Sequence, residues 1–199
     1  MKINLKKNKL SFHFALMFIC LNVFGSDGSP TLFKITGNAK KVLFFSSKTE
    51  KSASGKLSNG DIINIYFKQA DYYVTVTHGT ITKTLAEQNC CISKNSSNDL
   101  FSEIGVYEYD FDKDGNDELI IVHSNELLSS IAEIFRYSVG ISERIGFIPF
   151  QFEFILSQNE IRTPLGSQGL GESYIYKDGF IFELKRNVPE QMEKNYYKK

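Results

Sequence analysis

Ile62-Ile63-Asn64-Ile65-Tyr66-Phe67-Lys68, then Tyr72-Tyr73-Val74-Thr75-Val76-Thr77-His78 and, after Gly79, Thr80-Ile81-Thr82-Lys83-Thr84-Leu85, form the stretch that decides the fold. Each segment alternates apolar and polar side chains, the period of a strand with one buried face, and a helix would need a repeat of three to four. Asn59-Gly60 leads in and Gly79 turns the last pair, so the segments read as a three-strand antiparallel meander.

The same pattern continues on both sides. Upstream, Val42-Leu43-Phe44-Phe45 is a short strand, and Ser46 to Gly60, rich in Ser, Lys and Gly, reads as a long surface loop. Downstream, Asn89 to Asn98 is a polar connection and Asp99 to Glu103 has the composition of one helical turn. Strands are then expected at Ile104–Tyr109, Leu119–His123, Ile131–Ser138, Phe147–Leu156, Tyr174–Tyr176 and Phe180–Leu184, the last two joined by Lys177-Asp178-Gly179. Alternation in Phe150-Gln151-Phe152-Glu153-Phe154 puts the three phenylalanines on one face, as a core stripe, and Pro149 marks this strand as lying on an edge or starting there. Arg186 to Lys199 is polar and expected to fray.

Composition agrees with a β-rich domain. The chain has 199 residues, 42% apolar, with 17 Phe and 10 Tyr and no Trp. Aromatic content of 14% in short alternating runs favours sheet. The fold class expected is all-β, built of antiparallel hairpins and meanders, arranged as a sandwich or a degenerate propeller-like stack. Equal numbers of basic and acidic residues, 23 each, with no basic run in the body, exclude the positive footprint of non-specific nucleic-acid binding.

Residues 1–25 read as a secretory signal. Lys2, Lys6, Lys7 and Lys9 precede a largely apolar run from Leu10 to Phe24 that is too short to span a bilayer, and Val23 and Gly25 fit the positions before a cut. The alternatives are an uncleaved anchor, against which Ser11, His13 and Asn22 interrupt the run, and lipidation at Cys20, against which Met17-Phe18-Ile19 is bulky. Cleavage removes four lysines and no acid, so the mature chain, 26–199, is a single mildly acidic β-rich domain with a tail from about 186. It is expected in the periplasm or outside the cell. The remaining cysteines, Cys90 and Cys91, are adjacent, so a disulfide between them would close a strained ring and staple nothing.

One motif carries specific chemistry: Asp110-Phe111-Asp112-Lys113-Asp114-Gly115-Asn116-Asp117-Glu118. A hard cation such as Ca2+ takes six to eight oxygens, and alternate residues of a turning loop direct theirs inward. Asp110, Asp112 and Asp114 fit the inward set, Gly115 allows the turn, Asn116 offers its carbonyl, and Glu118 closes the shell. Ile121 occupies the place of an EF-hand's twelfth-position glutamate, and Leu119-Ile120-Ile121-Val122 continues as a strand, so a strand–loop–strand calcium site is expected. The plain alternative is a solvated acidic hairpin loop that uses Asp-Gly as turn chemistry.

Tyr109 through Ile120 resembles the calcium loop of FG-GAP-type repeats, found in integrin-like propellers and in many secreted bacterial proteins. Over about Val106 to Leu184 the layout is similar to a bacterial family of periplasmic calcium-loop proteins that includes immunity proteins inhibiting lysozyme-like effectors. The resemblance implies calcium as the bound ion and a lysozyme-like hydrolase as the protein partner.

The residues themselves keep three functions in play. An enzyme is poorly served: the mature chain keeps only His78, on a hairpin turn, and His123, ending a strand beside the acidic loop, and has no Gly-x-Ser-x-Gly elbow. A carboxylate-pair glycosidase would have to draw on Glu153, Glu160, Glu172 and Glu183, whose plain role is solvated strand faces. An inhibitor or immunity protein would present a rigid loop, and Gly166-Ser167-Gln168-Gly169-Leu170-Gly171, within the glycine-rich Pro164–Glu172 segment, is the candidate; such segments also serve as connectors. An adhesion or glycan-binding module would use the same calcium site to stiffen a surface.

Overall fold

A computed structural model describes residues 31–47, 49–68, 71–89, 101–125, 130–138, 141–165 and 170–184. The signal segment, Cys90 and Cys91, residues 166–169 and the tail from 186 lie outside the described residues. Among the described residues every regular element is a strand: β1 (Lys34–Thr36), β2 (Lys40–Ser46), β3 (Ser52–Lys56), β4 (Ile62–Lys68), β5 (Asp71–His78), β6 (Ile81–Asn89) and β7 (Phe101–Tyr109). The second half adds β8 (Glu118–Asn125), β9 (Ser130–Ser138), β10 (Ile141–Phe150), β11 (Glu153–Ser157), β12 (Glu160–Leu165), β13 (Leu170–Lys177) and β14 (Phe180–Glu183).

These strands form three sheets, ordered β10-β9-β8-β7-β2, β3-β4-β5-β6 and β1-β11-β12-β13-β14, all antiparallel apart from the β1–β11 pair. The first sheet is the middle layer. One core packs Leu43, Phe45, Ile104, Val106, Leu119 and Ile121 from this sheet against Ile63, Ile65, Tyr72 and Val74 of the β3–β6 sheet. A second core packs Ile120, Val122, Ile134 and Ile148 from its opposite face against Phe154, Ile161 and Tyr174 of the third sheet. A strand covered on both faces needs no polar alternation, which is why β8 is written Leu-Ile-Ile-Val.

Three local expectations are corrected. Within the expected loop Ser46–Gly60, Ser52-Ala53-Ser54-Gly55-Lys56 is β3, an edge strand pairing with β4, so the meander has four strands. Ladder bonds on one side suffice for an edge, and only the small Ala53 and Gly55 face inward, so the segment carries almost no apolar signal. The expected strand Phe147–Leu156 breaks at Gln151–Phe152, where the chain leaves β10 for β11 in another sheet. The bend keeps Phe150 and Phe154 buried with ring centroids 5.2 Å apart but turns Phe152 outward, 37% exposed. Phe101 to Glu103, expected in a helical turn, belong to β7 and pair with β8. Pro149 does lie on an edge strand, β10, the kind of position where a residue without an N–H is tolerated.

Candidate functional site

Residues 110–117 connect β7 to β8 across the middle sheet's end. The two positive φ angles, 62° at Lys113 and 90° at Gly115, tighten the loop so that its amides point inward. Asp114 N–H donates to Asp110 Oδ1 and Asp112 Oδ1, both at 3.2 Å, and Gly115 N–H donates to Asp110 Oδ2 at 2.9 Å. Asn116 donates twice to Asp114, from its backbone at 2.7 Å and from its side chain at 3.1 Å. These two bonds hold the Asp114 carboxyl below the usual range.

One oxygen from each of Asp110, Asp112 and Asp114 comes within 4.8 Å of the others. Oxygens at about 2.3–2.6 Å from one calcium ion stand at most about 5 Å apart, so this spread fits a single coordination sphere. Asn116 orders Asp114 through its N–H groups. Glu118 sits at the loop's base, buried, where its carboxylate accepts from Phe111 N–H at 3.3 Å and from the Tyr176 hydroxyl at 3.2 Å. Burial pushes the Glu118 carboxyl up to about 7, and the charges of Asp112 and Asp114 act in the same direction. A cation at the loop would offset that cost, since it favours every carboxylate around it in the charged form.

The intervening Phe111 faces the core. It is fully buried, stacked on Tyr176 at 5.2 Å and 10°, and meets Tyr109 edge-on at 4.8 Å. Tyr176 thus anchors the loop to the third sheet through both its ring and its hydroxyl. The sequence hid this role, because nothing in the spacing of Tyr176 points to a residue 58 positions earlier.

The loop borders a cleft of about 750 Å³. Ser58 and Asn59 line it from the β3–β4 turn, Arg136 and Tyr137 from β9, and Tyr176, Asp178 and Gly179 from the β13–β14 hairpin. A smaller cavity of about 390 Å³ shares Asp112, Tyr176, Asp178 and Gly179 and continues to Gln158 and Asn159. Glu108 on the wall accepts from Ser58 N–H at 2.7 Å, Ser58 hydroxyl at 2.8 Å and Lys40 at 2.9 Å, tying the β3–β4 turn to β7. Burial pushes the neighbouring Asp117 carboxyl up, and Glu108 and Asp110 add to the effect. With Asp112, Asp114, Asp117, Glu118 and Asp178 against Arg136, the cleft is acidic.

Arg136 braces the far wall. It donates to the Gly179 carbonyl and to Glu143 at 3.0 Å, and its guanidinium lies 5.7 Å from the centre of the Phe180 ring. Gly179 has φ of 82°, and a Cβ there would fall 1.8 Å from Arg136 Nη2. Gly179→Ala should therefore evict Arg136 and cost about 1–3 kcal/mol. A melt that matches the native protein would show that the turn tolerates the change.

The other candidates are scattered. The two histidines enter neither cleft lining. His78 ends β5 and pairs with Asp61 at 2.6 Å; burial works against the Asp61 charge, but hydrogen bonds from Tyr137, His78 and Asn59 hold its carboxyl below the usual range. His123, expected beside the acidic loop, is instead fully buried within β8, between the Tyr72 hydroxyl and Glu133. The middle sheet continues past the loop, and its interior face takes the ring. Of the four glutamates weighed for a glycosidase pair, Glu153 holds Lys34, Glu160 holds Arg162 and Glu172 accepts from Tyr174; none of the four lines either cavity.

The expected partner loop is shorter than its sequence suggested. Leu165 pairs with Leu170 and Pro164 with Gly171, so Leu170 and Gly171 belong to β13, while Gly166, Ser167, Gln168 and Gly169 lie outside the described residues. Gly171 is needed for close approach, since a Cβ would fall 2.1 Å from the Thr163 carbonyl oxygen. The acidic cleft is at the other end of β13, where Tyr176 and Lys177 lead into the turn. No family model, curated protein or solved structure matches the chain.

Proposed function

We propose that this chain is an exported calcium-binding β protein that acts by binding a partner, as an inhibitor or immunity protein against a lysozyme-like hydrolase, with no catalysis of its own. The observation that carries the reading is the convergence of Asp110, Asp112 and Asp114 oxygens at the rim of a walled cleft. In this reading the three aspartates, with Asn116 and Glu118, hold Ca2+, and the ion stiffens the rim against which Tyr176 and the β13–β14 turn are set. A pre-ordered rim loses little entropy on docking. Its acidic character draws a basic partner and speeds encounter. Export is supported by the leader-like residues 1–25, and no helix among the described residues is long and apolar enough to cross a membrane.

Inhibition separates this reading from the others. The mature chain should block a lysozyme-like glycan hydrolase at one-to-one stoichiometry in millimolar calcium, and hydrolyse no glycan itself. Asp178→Lys should weaken inhibition if the partner docks on the acidic cleft, whereas Gln168→Lys should weaken it if the β12–β13 connection is the contact. If no hydrolase in a broad panel is bound or inhibited, the inhibitor reading fails and a calcium-dependent adhesion or glycan-binding role takes its place.

A further inference from the structure

The outer face of the β3–β6 sheet has a chemistry that the calcium reading leaves unused. Its inward residues Ile63, Ile65, Tyr72, Val74 and Val76 fill the first core, so Asn64, Tyr66, Tyr73 and Thr77 face away from it. Tyr66 and Tyr73 are cross-strand partners whose rings stack at 5.5 Å with 17° between their planes. On β3, the cross-strand neighbour of Tyr66 is the small, exposed Ser52. The result is a step: an aromatic wall standing over a shelf of short hydroxyl side chains.

Next along the shelf, Ser54 donates to Asn64 Oδ1 at 2.6 Å, which fixes the amide. On β5 and β6 the Thr77 and Thr82 hydroxyls lie 3.0 Å apart, beside the exposed Ile62 that is Thr77's partner on β4. Charges on this face are confined to its corners: Lys56 on β3, Lys68 opposite Asp71 at the β4–β5 turn, and Glu87 opposite Tyr73. They cancel. The acidic cleft would attract a charged ligand, whereas this shelf matches a neutral one that offers both hydroxyls and a C–H face for a tyrosine ring. Pyranose rings have that character, and an extended polysaccharide repeats it along the strands.

We propose that the β3–β4 shelf, Ser52, Ser54, Asn64 and Tyr66 with Tyr73 as backing, binds neutral polysaccharide independently of calcium. None of these residues lines either cavity, so this activity stands apart from the calcium-dependent one.

The test is retention of the full chain on insoluble chitin and on cellulose, with a sulfated polysaccharide resin as the charged comparison and chelator present in a parallel series. Retention on a neutral polymer should survive chelator and exceed that on the sulfated resin. Tyr66→Ala should weaken it about tenfold, the upper end of what one aromatic contact contributes. Ser54→Lys, an exposed change on an edge strand that leaves the core untouched, should do the same with an unchanged melt. Absence of retention on both neutral polymers would overturn the proposal. So would retention that both substitutions leave intact, and retention abolished by chelator would move the site to the acidic cleft.

Discussion

Calcium at 10 mM should raise the midpoint of thermal unfolding by about 5–10 °C, and Asp112→Ala should remove the rise. The magnitude follows from linkage: an extracellular-type site with Kd of about 10⁻⁴ M gains about 2.7 kcal/mol at a hundredfold excess of ion. In a chain of this size each kcal/mol moves the midpoint by about 2–4 °C. Asp112 is the right residue to remove because its side chain is exposed and belongs to the three-oxygen cluster. Its carboxylate accepts a long hydrogen bond from Asp114 N–H at 3.2 Å, so little else is lost with it. Magnesium, which demands a smaller octahedral shell, should substitute poorly. A calcium response of full size in Asp112→Ala would remove the loop from consideration as the binding site.

The second large effect is expected in the interior. Tyr72 from β5, His123 from β8, Glu133 from β9 and Arg144 from β10 form a chain of polar contacts beside the first core. Glu133 is buried and holds His123 Nε2 at 3.2 Å and Arg144 at 2.9 Å. Glu133→Ala leaves a fully buried imidazole facing a gap, and removing the partner of a buried polar group costs about 1–3 kcal/mol. The midpoint should fall by about 2–12 °C. Burial opposes the Glu133 charge, but hydrogen bonds from His123 and Arg144 outweigh it and hold the carboxyl below its ordinary 4.5. A depressed folded-state value means that this stabilisation is complete above the unfolded value and is lost as pH falls through the folded one. Glu133→Gln should therefore flatten the acid limb of the stability profile below about pH 4.5. An unaltered acid limb in that variant would show that other carboxylates carry it.

Residues differ in how much of their role could be seen without coordinates. The alternation in Ile62–Lys68 and Tyr72–His78 survives as β4 and β5 because each has one wet face and one buried face, and burial of that kind writes a period of two into the chain. The aspartates at 110, 112 and 114 were equally legible, since a turning loop brings alternate residues together without help from distant parts. Ser52–Lys56 was invisible because an edge strand of small residues is held by ladder bonds, which are made by every backbone and leave no trace in side chains. Phe152 misled for the related reason that a bend between sheets resets the face a side chain looks to.

Local pattern was enough for the class of fold, its hairpins and the acidic loop, all of which depend on neighbours within a few residues. The assembled fold was needed to show that the sheets stack three deep, that His123 is interior, and that Tyr176 and Arg136 wall a cleft beside the loop. It also placed the Leu165–Leu170 pair at the opposite end of β13 from that cleft. Those facts join residues tens of positions apart, and they are fixed by which apolar faces can be buried against each other. Face-to-face burial is non-directional and roughly proportional to area, so many pairings satisfy a local pattern and only the assembled cores select one.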